Sequence, residues 1–188
     1  KSGDKVALYG AGPIGLGILA VLRHRGVEDI VVFELSPFRR SRAEQLGARA
    51  VVDPSQRESV EALIELHGAM EGARVPMAQT SHYIEATGAP LLGGIIASAA
   101  PKSTILVVAL HKKPEEVAFL HVMAKELTIT GTMGYPDEFG EAIEIIESGK
   151  VDFSPLVSHR FASDKVLEAF AAAKESSSSA KVLVDYRL

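Results

Sequence analysis

A chain of 188 residues, 47% apolar and 23% charged, has a globular composition and enough length for one domain with an appendage. Its net charge of −4 argues against nucleic acid as the main partner, because phosphate backbones reward basic faces. Cysteine is absent, which excludes a disulfide framework and thiolate-ligated zinc within this chain and suits a cytoplasmic protein.

The first strand candidate is 5-KVALY-9, and it runs straight into a turn with the spacing G-x-G-x-x-G, 10-GAGPIG-15. A helix is predicted over 13–25, with Ile14, Ile18, Val21 and Leu22 as its apolar stripe. Strand 29–34 follows, then a helix at 37–46, strand 50–53 and a helix at 58–67. The one long irregular link, 68–81, reads as a surface excursion. Beyond it come strand 82–87, a helix at 89–99, strand 104–110, a helix at 114–125 and strand 127–132. Pro90 and Pro114 are expected near the starts of their helices, where a missing N–H costs nothing. The strands are rich in Val and Ile with little polar alternation, as in parallel strands covered on both faces.

Strand and helix in alternation predict an α/β fold, a doubly wound parallel six-stranded sheet in the order 3-2-1-4-5-6. Its crevice would open between strands 1 and 4, at their carboxyl ends. This domain is expected to span 1–134. Residues 135–188 form a C-terminal appendage, with a helix in 136–150 striped by Phe139, Ala142, Ile143 and Ile146 and ended by Gly149. Strands at 156–161 and 181–186 flank a helix at 163–175 that Ser163 would cap, and this tail is read as no longer a β-α-β series. The uncharged runs 12–22 and 86–101 fall short of the roughly 20 residues needed to span a bilayer. No signal-peptide pattern opens the chain.

Alone, the glycine spacing suits a plain strand-to-helix turn as well as a phosphate cradle. Its context favours the cradle. Gly10 would allow the tight turn, Gly12 the approach of backbone to a pyrophosphate, and Gly15 close packing of helix on strand. The N–H groups at the helix start then face the phosphates. Glu34 ends the second strand nineteen positions after Gly15, where a carboxylate accepts hydrogen bonds from ribose hydroxyls and repels a 2′-phosphate. NAD is favoured over NADP, although Arg39 and Arg40 leave a phosphate partner open. No P-loop lysine follows Gly15, and no G-x-S-x-G or H-E-x-x-H occurs. The histidines at 24, 67, 82, 111, 121 and 159 show no ligand spacing and are given surface or boundary roles.

With these residues in place, the chain resembles the zinc-containing alcohol and polyol dehydrogenases of the medium-chain dehydrogenase family. The resemblance runs through 3-GDKVALYGAGPIGLG-17, 34-ELSPFRRSRAEQLGA-48, 84-IEATGAP-90 and 103-STILVVAL-110. It continues through 125-KELTITGTMGY-135, 138-EFGEAIEIIESGKVD-152 and 180-AKVLVDY-186. It implies an NAD(P) cofactor, with Gly10, Gly12, Pro13, Ile14 and Gly15 at the pyrophosphate. Glu34 would bind the adenosine ribose, with Arg39 flanking it. Ala86, Thr87 and Gly88 would lie beneath the nicotinamide and its ribose. Ala109 and Leu110, ending the fifth strand, would contact the carboxamide side, and Met133 with Gly134 would lie near the ring.

The family's catalytic half, with its Cys, His and acidic zinc ligands, would precede this chain. A fragment that binds NAD without turning over an alcohol is therefore expected, and residues from about 135 onward would pack on the missing half. The resemblance also implies a homodimer or tetramer built through strand 127–132. Two further readings are a stand-alone dinucleotide-sensing regulatory module and a methyltransferase using S-adenosylmethionine.

Overall fold

The computed structural model describes residues 1–72, 75–134 and 138–188. Six short strands build the main sheet: β1 Lys5–Tyr9, β2 Asp29–Phe33, β3 Ala50–Val52, β4 His82–Glu85, β5 Thr104–Val107 and β6 Thr128–Gly131. Every pairing between them is parallel, and their order is β3-β2-β1-β4-β5-β6. The helices between them are α1 Pro13–His24, α2 Pro37–Gln45, α3 Ser59–His67, α4 Leu92–Ser98 and α5 Phe119–Ala124. The expected doubly wound fold is therefore the one formed.

Alternation along β1 shows why its run is almost wholly apolar. Ala7 and Tyr9 face one core together with Val31, Phe33, Tyr83 and Ile105, covered by Ala62 and Leu63 of α3 and Ile95 and Ile96 of α4. Val6 and Leu8 face the other core with Ile30, Val32 and Ile84, covered by Leu16, Leu19 and Ala20 of α1 and Ala43 of α2. Successive side chains point to opposite faces, so a strand buried on both carries mostly apolar side chains.

Several local expectations change. In α1 the buried residues are Gly15, Leu16, Leu19 and Ala20, whereas Ile14, placed on the predicted stripe, is 61% exposed at the helix mouth. Helix α4 begins at Leu92, so Pro90 lies in the turn before it. Helix α5 begins at Phe119, leaving Pro114 in an irregular segment after β5 rather than at a helix start. The carboxyl end of α4 is closed by a side chain from another element. The buried Lys125 ammonium donates to the carbonyls of Ile96, Ala97 and Ala99 at 2.7–2.9 Å, satisfying the last turn from outside the helix. The 68–81 link includes an antiparallel bridge between Ala69 and Ala78, with Ala78 and Thr80 buried; its residues 73–74 lie outside those described.

The tail also departs from expectation. Helix α6 spans Glu138–Glu147, and the predicted residues 136–137 lie outside those described. Its stripe residues Phe139, Ile143 and Ile146 are exposed, and Ile145 is the buried one; Gly149 follows at φ +64 as a helix-ending residue should. Strands β7 Val157–Ala162 and β8 Lys181–Asp185 pair in parallel across helix α7 Val166–Lys174. The tail is thus a β-α-β unit after all, with its own two-stranded sheet. Ser163 opens a 3-10 turn before α7 and makes no side-chain cap. Val151, Phe153, Leu156 and Ala180 pack against the core beneath α1 and α2. Among the described residues no helix is long and apolar enough to cross a membrane.

Candidate functional site

The chain leaves β1 at Tyr9 and turns at Gly10, whose φ of +99° lies where L side chains rarely go. A Cβ there would lie 2.9 Å from Thr87 Cγ2 and 3.2 Å from the Ala86 carbonyl oxygen, so the turns after β1 and β4 touch. Gly15 is required for a different reason, since its Cβ would sit 2.0 Å from the Gly10 carbonyl oxygen. Gly12 stands apart. Its φ is −67°, and the nearest atom to a Cβ would be Arg39 Nη1 at 3.8 Å. Packing within the fold demands glycine at 10 and 15 but not at 12, where the bare backbone faces open space. Gly12 is also the N-cap of α1 and Pro13 its first residue. The Gly12 carbonyl takes the Leu16 amide at 2.9 Å, so the amides before Leu16 have no helical acceptor.

Glu34, the residue after β2, is half-buried, and its two oxygens are both engaged. Oε2 accepts the Ala11 amide and Oε1 the Ser36 amide, each at 2.8 Å. The carboxylate therefore braces the glycine turn and also the start of α2, where Ser36 caps the Arg39 amide. Arg39 and Arg40 diverge. Arg40 Nη1 lies 2.9 Å from Asp53 Oδ2 and donates to the Glu34 and Leu35 carbonyls, so it is held within the fold. Arg39 donates from Nε to the Ser179 carbonyl at 2.9 Å and lies beside the open backbone at Gly12.

These elements enclose a cavity of about 310 Å³ at the carboxyl ends of β1, β2 and β4. Gly10, Gly12, Glu34, Arg39, Ala86 and Thr87 all line it, with Leu35, Pro54, Ser59 and Leu91. Tyr9 and Phe33 form its aromatic floor, their rings stacked at 4.9 Å. Burial raises the Tyr9 phenol far above its ordinary range, so it stays neutral and offers no charge to the cavity. The arrangement combines a donor-rich helix start, an acceptor carboxylate and a cationic flank within an open cleft. That set of groups suits a phosphate joined to a ribose.

The second turn is built around a residue that motif reasoning passed over. Glu85, the last residue of β4, is fully buried. Its Oε1 accepts the Thr87 amide at 2.7 Å, the Thr87 hydroxyl at 2.5 Å and the Gly88 amide at 3.0 Å. Its Oε2 lies 2.7 Å from His111 Nε2. A carboxylate at the end of a strand whose neighbours Tyr83 and Ile84 are buried was the available signal, because burying one requires dedicated partners. His111 is accordingly embedded between carboxylates rather than in an ordinary surface role. His67, also assigned to the surface or boundary, is buried, with Nδ1 2.8 Å from Thr80 Oγ1.

Gly88 has φ +71°, and a Cβ there would lie 2.8 Å from the Leu110 carbonyl oxygen. That contact brings Ala109 and Leu110 to the rim of the β4 turn, although β5 ends earlier, at Val107. The Leu110 side chain is 78% exposed. Met133, beyond β6, is 88% exposed, and neither it nor Ile14 lines the cavity. No cluster of three or more His, Cys, Asp or Glu side chains able to hold a metal occurs among the described residues.

The sequence model of the zinc-binding dehydrogenases matches residues 13–148. The chain is 34% identical over 186 residues to the (R,R)-butanediol dehydrogenase of Bacillus subtilis, covering 98% of this chain and 51% of that protein. To human sorbitol dehydrogenase it is 34% identical over 175 residues, covering 92% and 47%. A crystal structure of a short chain alcohol dehydrogenase from E. coli CFT073, complexed with the cofactor NADH, superposes with a TM-score of 0.85. It is 26% identical, covering 97% of this chain and 52% of that one. The chain spans about half the length of the curated relatives it matches. Its glycine turn, its strand order and these matches together make it a member of the zinc-binding dehydrogenase family.

Proposed function

We propose that this chain is the dinucleotide-holding part of an alcohol or polyol oxidoreductase and binds NAD(H) in the crevice between β1 and β4. The observation that carries the reading is the glycine at position 12, which the fold does not need and which leaves backbone open beside Arg39 and the cavity. In this reading Gly10, Gly12, Pro13, Ile14 and Gly15 cradle the pyrophosphate, and Glu34 accepts the adenosine ribose hydroxyls. Ala86, Thr87, Gly88, Ala109, Leu110 and Met133 border the nicotinamide half. When bound, the cofactor supplies hydride acceptance and donation at the nicotinamide ring. The chain's own part is to bind and orient the cofactor and to exclude water.

The domain division belongs to the same proposal, with 1–134 as the cofactor-binding unit and 135–188 as the segment that packs on the remainder of the enzyme. The exposed apolar faces of α6 and α7 support it, with Phe139, Ile143, Leu167 and Phe170 among their residues. The zinc and the alcohol pocket are assigned to that remainder. The substrate class follows from the relatives' names, which are those of diol and polyol dehydrogenases. Homodimers or tetramers joined through the edge of β6, and a cytoplasmic setting, complete the reading; all four residues of that edge strand are exposed.

Titration of the chain with NADH, NADPH and S-adenosylmethionine, followed by calorimetry, tests it. NADH is expected to bind more tightly than NADPH, with S-adenosylmethionine not binding. Lack of dinucleotide binding, or preference for S-adenosylmethionine, would overturn the reading. The chain alone, supplied with zinc and a panel of alcohols, is expected to reduce no NAD.

A further inference from the structure

A single buried carboxylate ties the 86–88 turn to His111 at the far side of the crevice. Through Oε1, Glu85 holds the 86–88 turn by three hydrogen bonds. Through Oε2 it meets His111 Nε2 at 2.7 Å, and His111 Nδ1 lies 2.7 Å from Glu115 Oε1. Glu115 Oε2 in turn accepts the Leu92 amide at 3.0 Å, at the first residue of α4. Both imidazole nitrogens therefore face carboxylate oxygens, Nε2 within a hydrogen bond to Glu85 and Nδ1 in a close contact with Glu115 that lacks hydrogen-bond geometry. The backbone follows the same path, because the Glu85 carbonyl accepts the Val108 amide at 2.9 Å and the Ala109 amide at 3.2 Å.

The location gives this linkage a purpose beyond holding the fold. A dinucleotide with its adenosine at Glu34, above β2, and its phosphates at the turn after β1 extends its other half over β4 and β5. The 86–88 turn and residues 109–111 form that ground, and they meet where Gly88 approaches the Leu110 carbonyl. We propose that Glu85 and His111 are positioning residues that set the spacing of these two loops and thereby orient the nicotinamide half of the bound cofactor. The proposal rests on the dinucleotide reading above. It assigns no contact with the cofactor to Glu85, which acts through the backbone it holds.

The test compares two ligands that share one half. ADP carries only the adenosine and phosphates, whereas NADH adds the nicotinamide nucleoside. In His111→Ala the affinity for NADH is expected to fall about tenfold, as when a buried charge-assisted link is cut, while that for ADP stays within about twofold. His111→Gln, whose amide can donate toward Glu85, should recover part of the loss. The emission of bound NADH should shift toward that of the free cofactor in the alanine variant and less so in the glutamine variant. Where His111→Ala loses its cooperative melting transition, Glu115→Gln carries the test, with a smaller loss confined to NADH. Equal loss of ADP and NADH, or no change in either, would overturn the positioning role. Failure of the unmodified chain to bind ADP and NADH would instead overturn the dinucleotide reading, and this proposal with it.

Discussion

The Glu34 carboxylate accepts the Ala11 amide at 2.8 Å, fastening the end of β2 to the glycine turn that leaves β1. Its second oxygen takes the Ser36 amide, yet each carboxylate oxygen retains acceptor capacity for a ribose hydroxyl. Glu34→Gln keeps an acceptor but removes the negative charge that opposes a 2′-phosphate. The ratio of NADH to NADPH affinity is expected to drop about tenfold, or about 1.4 kcal/mol. Fluorescence titration with both cofactors checks this, and an unchanged ratio would remove Glu34 from the specificity argument.

Gly15 and Gly12 should separate in a way that a plain turn would not. Gly15→Ala forces a Cβ to within 2.0 Å of the Gly10 carbonyl, so α1 must move off β1 at a cost of about 3 kcal/mol or more. Gly12→Ala meets nothing closer than 3.8 Å and should cost under about 1 kcal/mol in stability, since an N-cap changes only modestly. It should nevertheless weaken NADH binding clearly, because the methyl group occupies the face open to phosphate. Urea denaturation and calorimetry on the two variants give the two readouts independently.

Lys125 offers a stability prediction remote from the site. Its ammonium closes the carboxyl end of α4 through three carbonyls, and burial lowers its pKa from the ordinary lysine value. Lys125→Met keeps the stem but leaves those carbonyls without their donor. A loss of about 2–3 kcal/mol is expected from thermal or urea unfolding. A loss near zero would mean that water replaces the ammonium without penalty.

His67 makes the fold sensitive to acid. Burial is the largest cause of its lowered pKa, with the cations of Arg49 and Lys5 adding to it against the opposing pull of Asp29. A group more acidic in the folded chain binds fewer protons there than when unfolded. Its contribution is thus full above the unfolded value of about 6.5 and is lost as pH falls through the lower folded value. The melting temperature of the unmodified chain should decline over that acid window more steeply than that of His67→Gln. Parallel curves for the two proteins would exclude His67 as the cause.

Much of the site was legible from particular residues. The run from Val6 to Tyr9, the glycines at 10, 12 and 15, and Glu34 lie within one strand-turn-helix-strand unit, where local spacing dictates geometry. The order of the six strands followed from alternation and crossover handedness. Helical stripes were less dependable, because periodicity marks an apolar face without showing what covers it. In α1 the close approach of Gly15 to Gly10 rotates Leu16 and Leu19 inward and leaves Ile14 outside. In α6 the stripe residues Ile143 and Ile146 are exposed, and Ile145 is the buried residue.

The sequence by itself determined the doubly wound sheet and the place of its glycine turn, because both rest on short-range periodicity and on residues with few allowed conformations. Only the tertiary structure decided that Glu85 meets His111 across twenty-six positions, and that Arg39 is steadied by Ser179 from the tail. Those contacts depend on β4 lying beside β5 and on where the appendage packs. Their physical cause is the need of each buried or half-buried charge to find a partner, a need that local spacing states but cannot direct.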